Sequence, residues 1–171
     1  MSRLAHVACI QHDHLVDVQN VVQLDGVFGM EMEWVDGYDI RRLLTPHAYQ
    51  LVRDHVTDRR WKDINETILT QGREQPRLRP GTAVSIIREC LAALSALHRH
   101  GVVHNDIKPA NVILDVDSKP KISDFGIARL LEASSGLTRS DTVVGTPEYM
   151  SPEQALGQTA DARSDLYAFG V

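Results

Sequence analysis

Apolar positions along the chain follow two spacings. Between Thr82 and His100, Val84, Ile87, Leu91, Leu94 and Leu97 return every three or four residues, and Gly101 follows as a stop signal. This spacing predicts the best helix of the chain, buried along that stripe. Leu4, Val7, Ala8 and Ile10 repeat the pattern over a shorter helix that ends at Gln11-His12-Asp13-His14. Leu15 to Val22 and Val27 to Val35 read as strands on either side of an Asp25-Gly26 turn. Shorter extended runs lie at Val102-Val103, Val112-Ile113-Leu114 and Pro120 to Ser123, with a turn at Asp117-Ser118. Tyr38 to Leu44 runs into Thr45-Pro46, which ends one helix and starts another. From about 47 to 80 the pattern is amphipathic and helical, with Tyr49, Leu51, Val52, Val56, Trp61, Ile64 and Ile68 as candidate buried positions. Gln71-Gly72 then opens a polar loop that closes at Pro80.

The 171 residues carry a formal charge of −5 and are 43% hydrophobic, which fits one soluble globular unit. A chain of this size buries roughly 70% of its unfolded surface, enough for a core. The charge balance argues against a nucleic-acid partner. No apolar run approaches the roughly 20 residues of a membrane span, and no basic-then-apolar leader opens the chain, so a cytoplasmic location is expected. Cys9 and Cys90 read as reduced thiols. His12 and His14 flank Asp13 in a polar turn, without the ligand set of a zinc site.

The candidate chemistry lies in His104 to Asn111, His-Asn-Asp-Ile-Lys-Pro-Ala-Asn, and in Asp124-Phe125-Gly126. Pro109 keeps the first stretch from becoming a regular helix, so a polar loop results. Asp124 follows a short strand, and Gly126 permits a sharp turn after it. Two carboxylates, an amide and an ammonium can therefore converge. Such a group suits phosphoryl transfer, in which the protein mainly positions reactants and neutralises charge. Asn111 and Asp124 offer the hard oxygen donors that magnesium prefers. Asp106 can orient an attacking hydroxyl and collect its proton late, while Lys108 neutralises phosphoryl oxygens.

HNDIKPAN, DFG and GTPEYMSPE, in that order, closely resemble the catalytic loop, metal loop and activation-segment end of eukaryotic-like serine/threonine protein kinases of bacterial type. The resemblance implies an α+β, protein-kinase-like fold. Residues 1–35 would be a remnant of the N-lobe (end of helix C, strands four and five, hinge), and residues 36–171 a partial, mostly helical C-lobe with a helical insertion at about 47–80. It also implies ATP with magnesium, which manganese can replace, and a protein substrate presenting serine or threonine. Asp106, Lys108 and Asn111 would be catalytic, and Asn111 and Asp124 would hold metal. Met32 would be the gatekeeper, Glu33 and Val35 hinge residues at adenine, Asp39 a ribose contact and Ile113 the floor under adenine. Gly145, Thr146 and Pro147 would form the substrate shelf, with Thr146 bridging Asp106 and Lys108. His104, Phe125, Gly126, Glu153 and Asp165 would be structural, Asp165 capping the backbone near His104.

The chain departs from the family pattern in several places. Asn105 stands where most relatives carry arginine, and it cannot form the charge-assisted fork with a phosphorylated loop. That weakens the expectation that phosphorylation at Ser134, Ser135, Thr138, Ser140 or Thr142 activates the chain. Ser151-Pro152-Glu153 replaces the usual Ala-Pro-Glu. Neither a glycine-rich loop nor a Val-Ala-Ile-Lys strand occurs in these residues, and Arg3 falls near the place of the helix C glutamate. The polypeptide alone is therefore expected to transfer phosphate feebly or not at all. The rival expectation is a pseudokinase or regulatory fragment that binds partner proteins.

Overall fold

A computed structural model describes residues 9–24, 27–69, 76–125 and 146–171. Most of the helix expected over 4–10 lies outside them, as do the Asp25-Gly26 turn, Gly126, Gly145 and the serine- and threonine-rich segment between them. Cys9 and Ile10 are described, without helical structure.

Strand β1 (Val18–Leu24) pairs antiparallel with β2 (Val27–Met32). Both are shorter or shifted relative to the alternation in the sequence. Leu15, expected inside the first strand, instead makes a single parallel bridge to Ile122. Its neighbours follow it: Val16 N–H donates to the Ile122 carbonyl and Ile122 N–H to the His14 carbonyl, each at 2.9 Å. Residues 33–35, expected to continue the second strand, leave the sheet after Met32, and Glu33 N–H turns to the Asp17 carbonyl at 2.9 Å.

A second sheet, in the order β3-β4-β5 and antiparallel throughout, consists of β3 (Gly37–Asp39), β4 (Val112–Asp115) and β5 (Pro120–Ile122). Gly37 is required at its edge, since a side chain there would strike the Leu114 carbonyl. The sheet thus joins the chain leaving residues 33–36 to the strands that flank the polar loop.

Helix α1 (Ile40–Leu44) is capped by Asp39, whose carboxylate accepts from Arg42 N–H at 2.9 Å. Helix α2 (Pro46–His55) starts with proline in its first turn, where no N–H is needed. Helix α3 (Asp58–Asp63) runs into a π-helical turn over Ile64–Ile68. Val52, Ile64, Ile68 and Leu69 are buried, and Val56 and Trp61 pack on the core partly covered. Leu51 is a correction to the expected pattern, because it lies half exposed on the solvent side of α2. Arg60 fastens α3 to the β4–β5 turn by donating to the Asp115 and Val116 carbonyls.

The long helix α4 (Pro80–Arg99) forms where the spacing places it and buries the expected stripe at Leu94 and Leu97 but not at its other three positions. Ile86, Cys90, Ala93, Leu94, Ala96 and Leu97 point inward, whereas Val84 is 67% exposed and Ile87 and Leu91 also face solvent. This mixed face of small and large residues packs against β5 and against α6 (Ala162–Gly170). Burial pushes the Cys90 thiol up to about 12, which keeps it protonated and inert. Gly101, at φ +72°, ends the helix. Val102 and Val103 then run without strand pairing, contrary to their extended pattern.

Candidate active site

The loop after α4 is held by polar groups that are themselves buried. Asp165, in the first turn of α6, is 1% exposed and accepts three hydrogen bonds: from His104 N–H at 2.9 Å, from Asn105 N–H at 2.8 Å, and from His98 Nε2 at 2.7 Å. The His104 ring is also buried. Its Nε2 donates to the Ser123 carbonyl at 2.9 Å, while Nδ1 accepts from Asp106 N–H at 3.3 Å. That pairing defines one neutral tautomer. Burial lowers the His104 pKa below the ordinary 6.5, and the nearby Asp165 and Asp106 charges only partly offset it. Val102 and Ile107 anchor the loop in the apolar core.

The next residues carry the carboxylate, ammonium and amide expected to be catalytic. Lys108 Nζ lies 2.6 Å from Asp106 Oδ2. Asn111 Nδ2 donates to the Asp106 carbonyl at 2.8 Å and to Asp106 Oδ2 at 3.2 Å. Pro109 starts a short 3-10 turn, Pro109–Asn111, that leads directly into β4. Because β5 pairs with β4, Ser123 N–H reaches the Asn111 carbonyl at 2.9 Å, and Asp124 emerges beside Asn111. The sharp turn expected at Gly126 begins earlier, since Asp124 itself has φ +59°. Aspartate and asparagine tolerate that conformation better than most residues. Phe125 is buried against the edge of His104, with ring centroids 6.4 Å apart.

This donor set fits a hard divalent cation. The Nδ2 end of Asn111 is engaged with Asp106, so its oxygen end is the one that can face a metal, and Asp124 offers an exposed carboxylate next to it. Two protein oxygens are few, which is the usual situation for magnesium held jointly with phosphate and water. Among the described residues, no group of three or more His, Cys, Asp or Glu side chains could hold a metal ion.

Of the residues expected to surround a nucleotide, Asp39 and Ile113 lie in the same sheet, Met32 ends β2 of the other sheet, and Glu33 and Val35 lie in the segment between the two. Ile113 pairs with Asp39 across β3–β4 and is partly buried. Met32 is 37% exposed at the end of β2. The Glu33 side chain turns to Lys121 Nζ at 2.6 Å and to Asp17 N–H at 2.9 Å. Burial pushes the Glu33 pKa up, but the lysine and the backbone donor together hold it below the usual carboxylate range. Trp34 is almost fully exposed and Val35 half-buried. The Asp39 carboxylate caps α1 and pairs with Arg42 Nε at 3.2 Å, so each of its oxygens has a partner on the helix.

On the other side of the loop, Thr146, Tyr149 and Met150 line a small cleft together with Asn105, Asp106 and Ile107. Pro147 opens a 3-10 turn, Pro147–Tyr149. Helix α5 (Pro152–Ala155) follows, with a reciprocal cap between Ser151 and Gln154. Glu153 accepts from the Ser164 hydroxyl, which draws its pKa down. Residue-type reasoning about the loop did not single out Gln154, Ser123 or His98. The Ser151-Pro152-Glu153-Gln154 capping pattern is the signal that could have found the first of them.

Comparison with known proteins identifies the family. The model of the protein kinase domain family matches residues 2–171. The chain is 39% identical over 136 residues to the serine/threonine-protein kinase PknB of Mycolicibacterium smegmatis, covering 78% of this chain and 21% of that protein. It is 36% identical over 170 residues to the serine/threonine-protein kinase pkn3 of Myxococcus xanthus, covering 95% and 26%. Against the probable serine/threonine-protein kinase PknB of Lactococcus lactis it is 32% identical over 165 residues, covering 96% and 22%. The chain thus spans between a fifth and about a quarter of the length of these relatives.

Proposed function

The chain belongs to the protein kinase family, and from that premise we propose that it transfers the terminal phosphoryl group of ATP to serine and threonine hydroxyls of protein substrates. One observation carries the reading: Asp106, Lys108 and Asn111 are in direct contact, and β5 delivers Asp124 next to Asn111. In the proposed reaction the acceptor hydroxyl oxygen bonds to the γ-phosphorus, and the bond from that phosphorus to the ADP oxygen breaks. The hydroxyl proton passes to Asp106. A carboxylate is a weak base for an alcohol, so Asp106 acts chiefly by orienting the hydroxyl along the line of attack. Lys108 stands where it neutralises the transferring oxygens, and Asn111 holds Asp106 in place from the other side. Magnesium, or manganese in its place, would be held by Asn111 and Asp124 and supplies charge neutralisation on the phosphates. The cleft lined by Thr146 and Tyr149 beside Asp106 suits the acceptor segment of the substrate.

These 171 residues include no glycine-rich loop and no strand lysine for the nucleotide phosphates, so transfer by this polypeptide alone is slow. Labelled phosphate moving from ATP to a generic acceptor protein tests the reading. Asp106→Asn should lower the rate by about 10²- to 10⁴-fold without changing the fold. Transfer that survives this substitution would place the chemistry elsewhere. A chain that binds ATP yet transfers nothing would be a regulatory fragment, the reading that Asn105 favours.

A further inference from the structure

We infer that Gln154 is a positioning residue for Asp106, and that it acts by clamping the peptide group between Asn105 and Asp106. Asn105 sits at φ +68°, a conformation that costs free energy for a residue with a side chain, so the backbone there has somewhere easier to go. Both flanking peptide groups are gripped. The group on the N-terminal side is fixed through Asn105 N–H, which donates to Asp165 Oδ1 at 2.8 Å. The group on the C-terminal side is fixed at both ends: its N–H, from Asp106, donates to His104 Nδ1 at 3.3 Å, and its carbonyl, from Asn105, accepts from Gln154 Nε2 at 2.7 Å. Of these three partners, Gln154 alone comes from the segment that lines the far side of the cleft.

The same side chain does a second task. Its Oε1 accepts from Ser151 N–H at 3.0 Å, and the Gln154 backbone N–H donates to Ser151 Oγ at 3.4 Å, the two halves of a cap on α5. Ser151 is fully buried, so this cap is itself fixed in place. One amide therefore ties Asp106 to the wall that receives the acceptor. A rotation of the 105–106 peptide would swing the Asp106 carboxylate relative to that wall, and errors of about 1 Å in such alignments cost about a hundredfold in rate.

The cap and the clamp can be separated. Gln154→Glu retains the acceptor that caps α5, since glutamate serves equally in this motif, but removes the N–H donor and sets a carboxylate against the Asn105 carbonyl. Ser151→Ala does the reverse, weakening the cap while leaving the Gln154 donor. Hydrogen exchange at Asp106 N–H, measured by NMR on the whole chain, is the first readout, and kcat and KM for phosphate transfer are the second. Gln154→Glu should speed Asp106 exchange about tenfold relative to the unaltered chain. It should also lower kcat by about ten- to a hundredfold with KM for ATP unchanged. Ser151→Ala should lower the unfolding midpoint and leave Asp106 exchange near its original rate. Unchanged exchange and kcat in Gln154→Glu, or faster exchange in Ser151→Ala than in Gln154→Glu, would overturn the assignment. The kinetic arm rests on the phosphotransfer reading and the exchange arm does not, so a chain without measurable transfer still decides the clamp.

Discussion

The segment from His104 to Asn111 and the helix from Pro80 to Arg99 adjoin in the chain and are held in opposite ways. The helix makes its own backbone hydrogen bonds and is located by apolar burial, with Cys90, Ala93, Leu94 and Leu97 at 1% exposure or less. The loop makes few backbone–backbone hydrogen bonds of its own, and partners from elsewhere in the chain fix its backbone and the His104 ring: Asp165, Ser123 and Gln154. A helix located by burial can rotate a little and keep most of its energy. A loop located by hydrogen bonds in the interior cannot, because every broken bond leaves a polar group without water. The placement of the Asp106 carboxylate thus depends on a part of the molecule with little regular structure.

The sharpest way to break this comparison is to remove the loop's main acceptor. Asp165→Ala leaves His104 N–H, Asn105 N–H and His98 without their shared partner. The expected loss is about 3 to 5 kcal/mol in chemical denaturation, and no helix truncation should exceed it. A loss below about 1 kcal/mol would mean that water or a shifted backbone replaces the carboxylate, and that the loop is not held as argued.

The two segments were legible to different degrees, for a physical reason. Residue types alone brought Asp106, Lys108 and Asn111 together, because a carboxylate, an ammonium and an amide so closely spaced on a loop have few other partners. The structure places all three in contact. The helix was legible as a helix, and its orientation only toward its C-terminal end, where Leu94 and Leu97 are buried as the spacing implies. Val84, Ile87 and Leu91 make one stripe and Ile86, Cys90 and Ala93 another, about one residue or roughly 100° apart. Hydrophobicity favours the first stripe, and close packing against β5 and α6 selects the second. Tertiary facts of this kind leave no local trace. Asp39 is a similar case: the pattern runs Tyr38 to Leu44 together, whereas Tyr38 and Asp39 pair in β3 and the Asp39 carboxylate caps the helix that starts at Ile40. The left-handed backbone at Asn105 and Asp124 was partly readable, since both are residue types that tolerate it.

The orientation of the helix gives the next test. Leu97→Ala should destabilise by about 2 to 5 kcal/mol, because the cavity lies in the core, while Leu91→Ala should cost less than about 1 kcal/mol. Equal losses at the two positions would restore the stripe that spacing alone suggests. The pair also sharpens the contrast with the loop, since neither change should alter phosphate transfer at a temperature where both variants are folded.

A smaller effect concerns the protonation of His104, the one ring that touches both Asp106 N–H and the Ser123 carbonyl. Its pKa in the folded chain lies below the ordinary 6.5, burial being the main cause. The unfolded chain therefore binds this proton first as pH falls. Stability from the neutral ring is complete above about 6.5 and is lost progressively below it, toward the lower folded value. Comparison with His104→Gln isolates this contribution from the other histidines. The variant is less stable near neutral pH, because glutamine cannot make both contacts in the space of the ring, but it carries no proton-linked loss at this position. The gap in unfolding free energy between the two chains should therefore narrow as pH is lowered from 7.5 toward 5.5. A gap that widens over that range would require a charged ring in the folded loop. Nδ1 would then carry a proton facing Asp106 N–H, and the tautomer on which the 105–106 peptide clamp depends would be wrong.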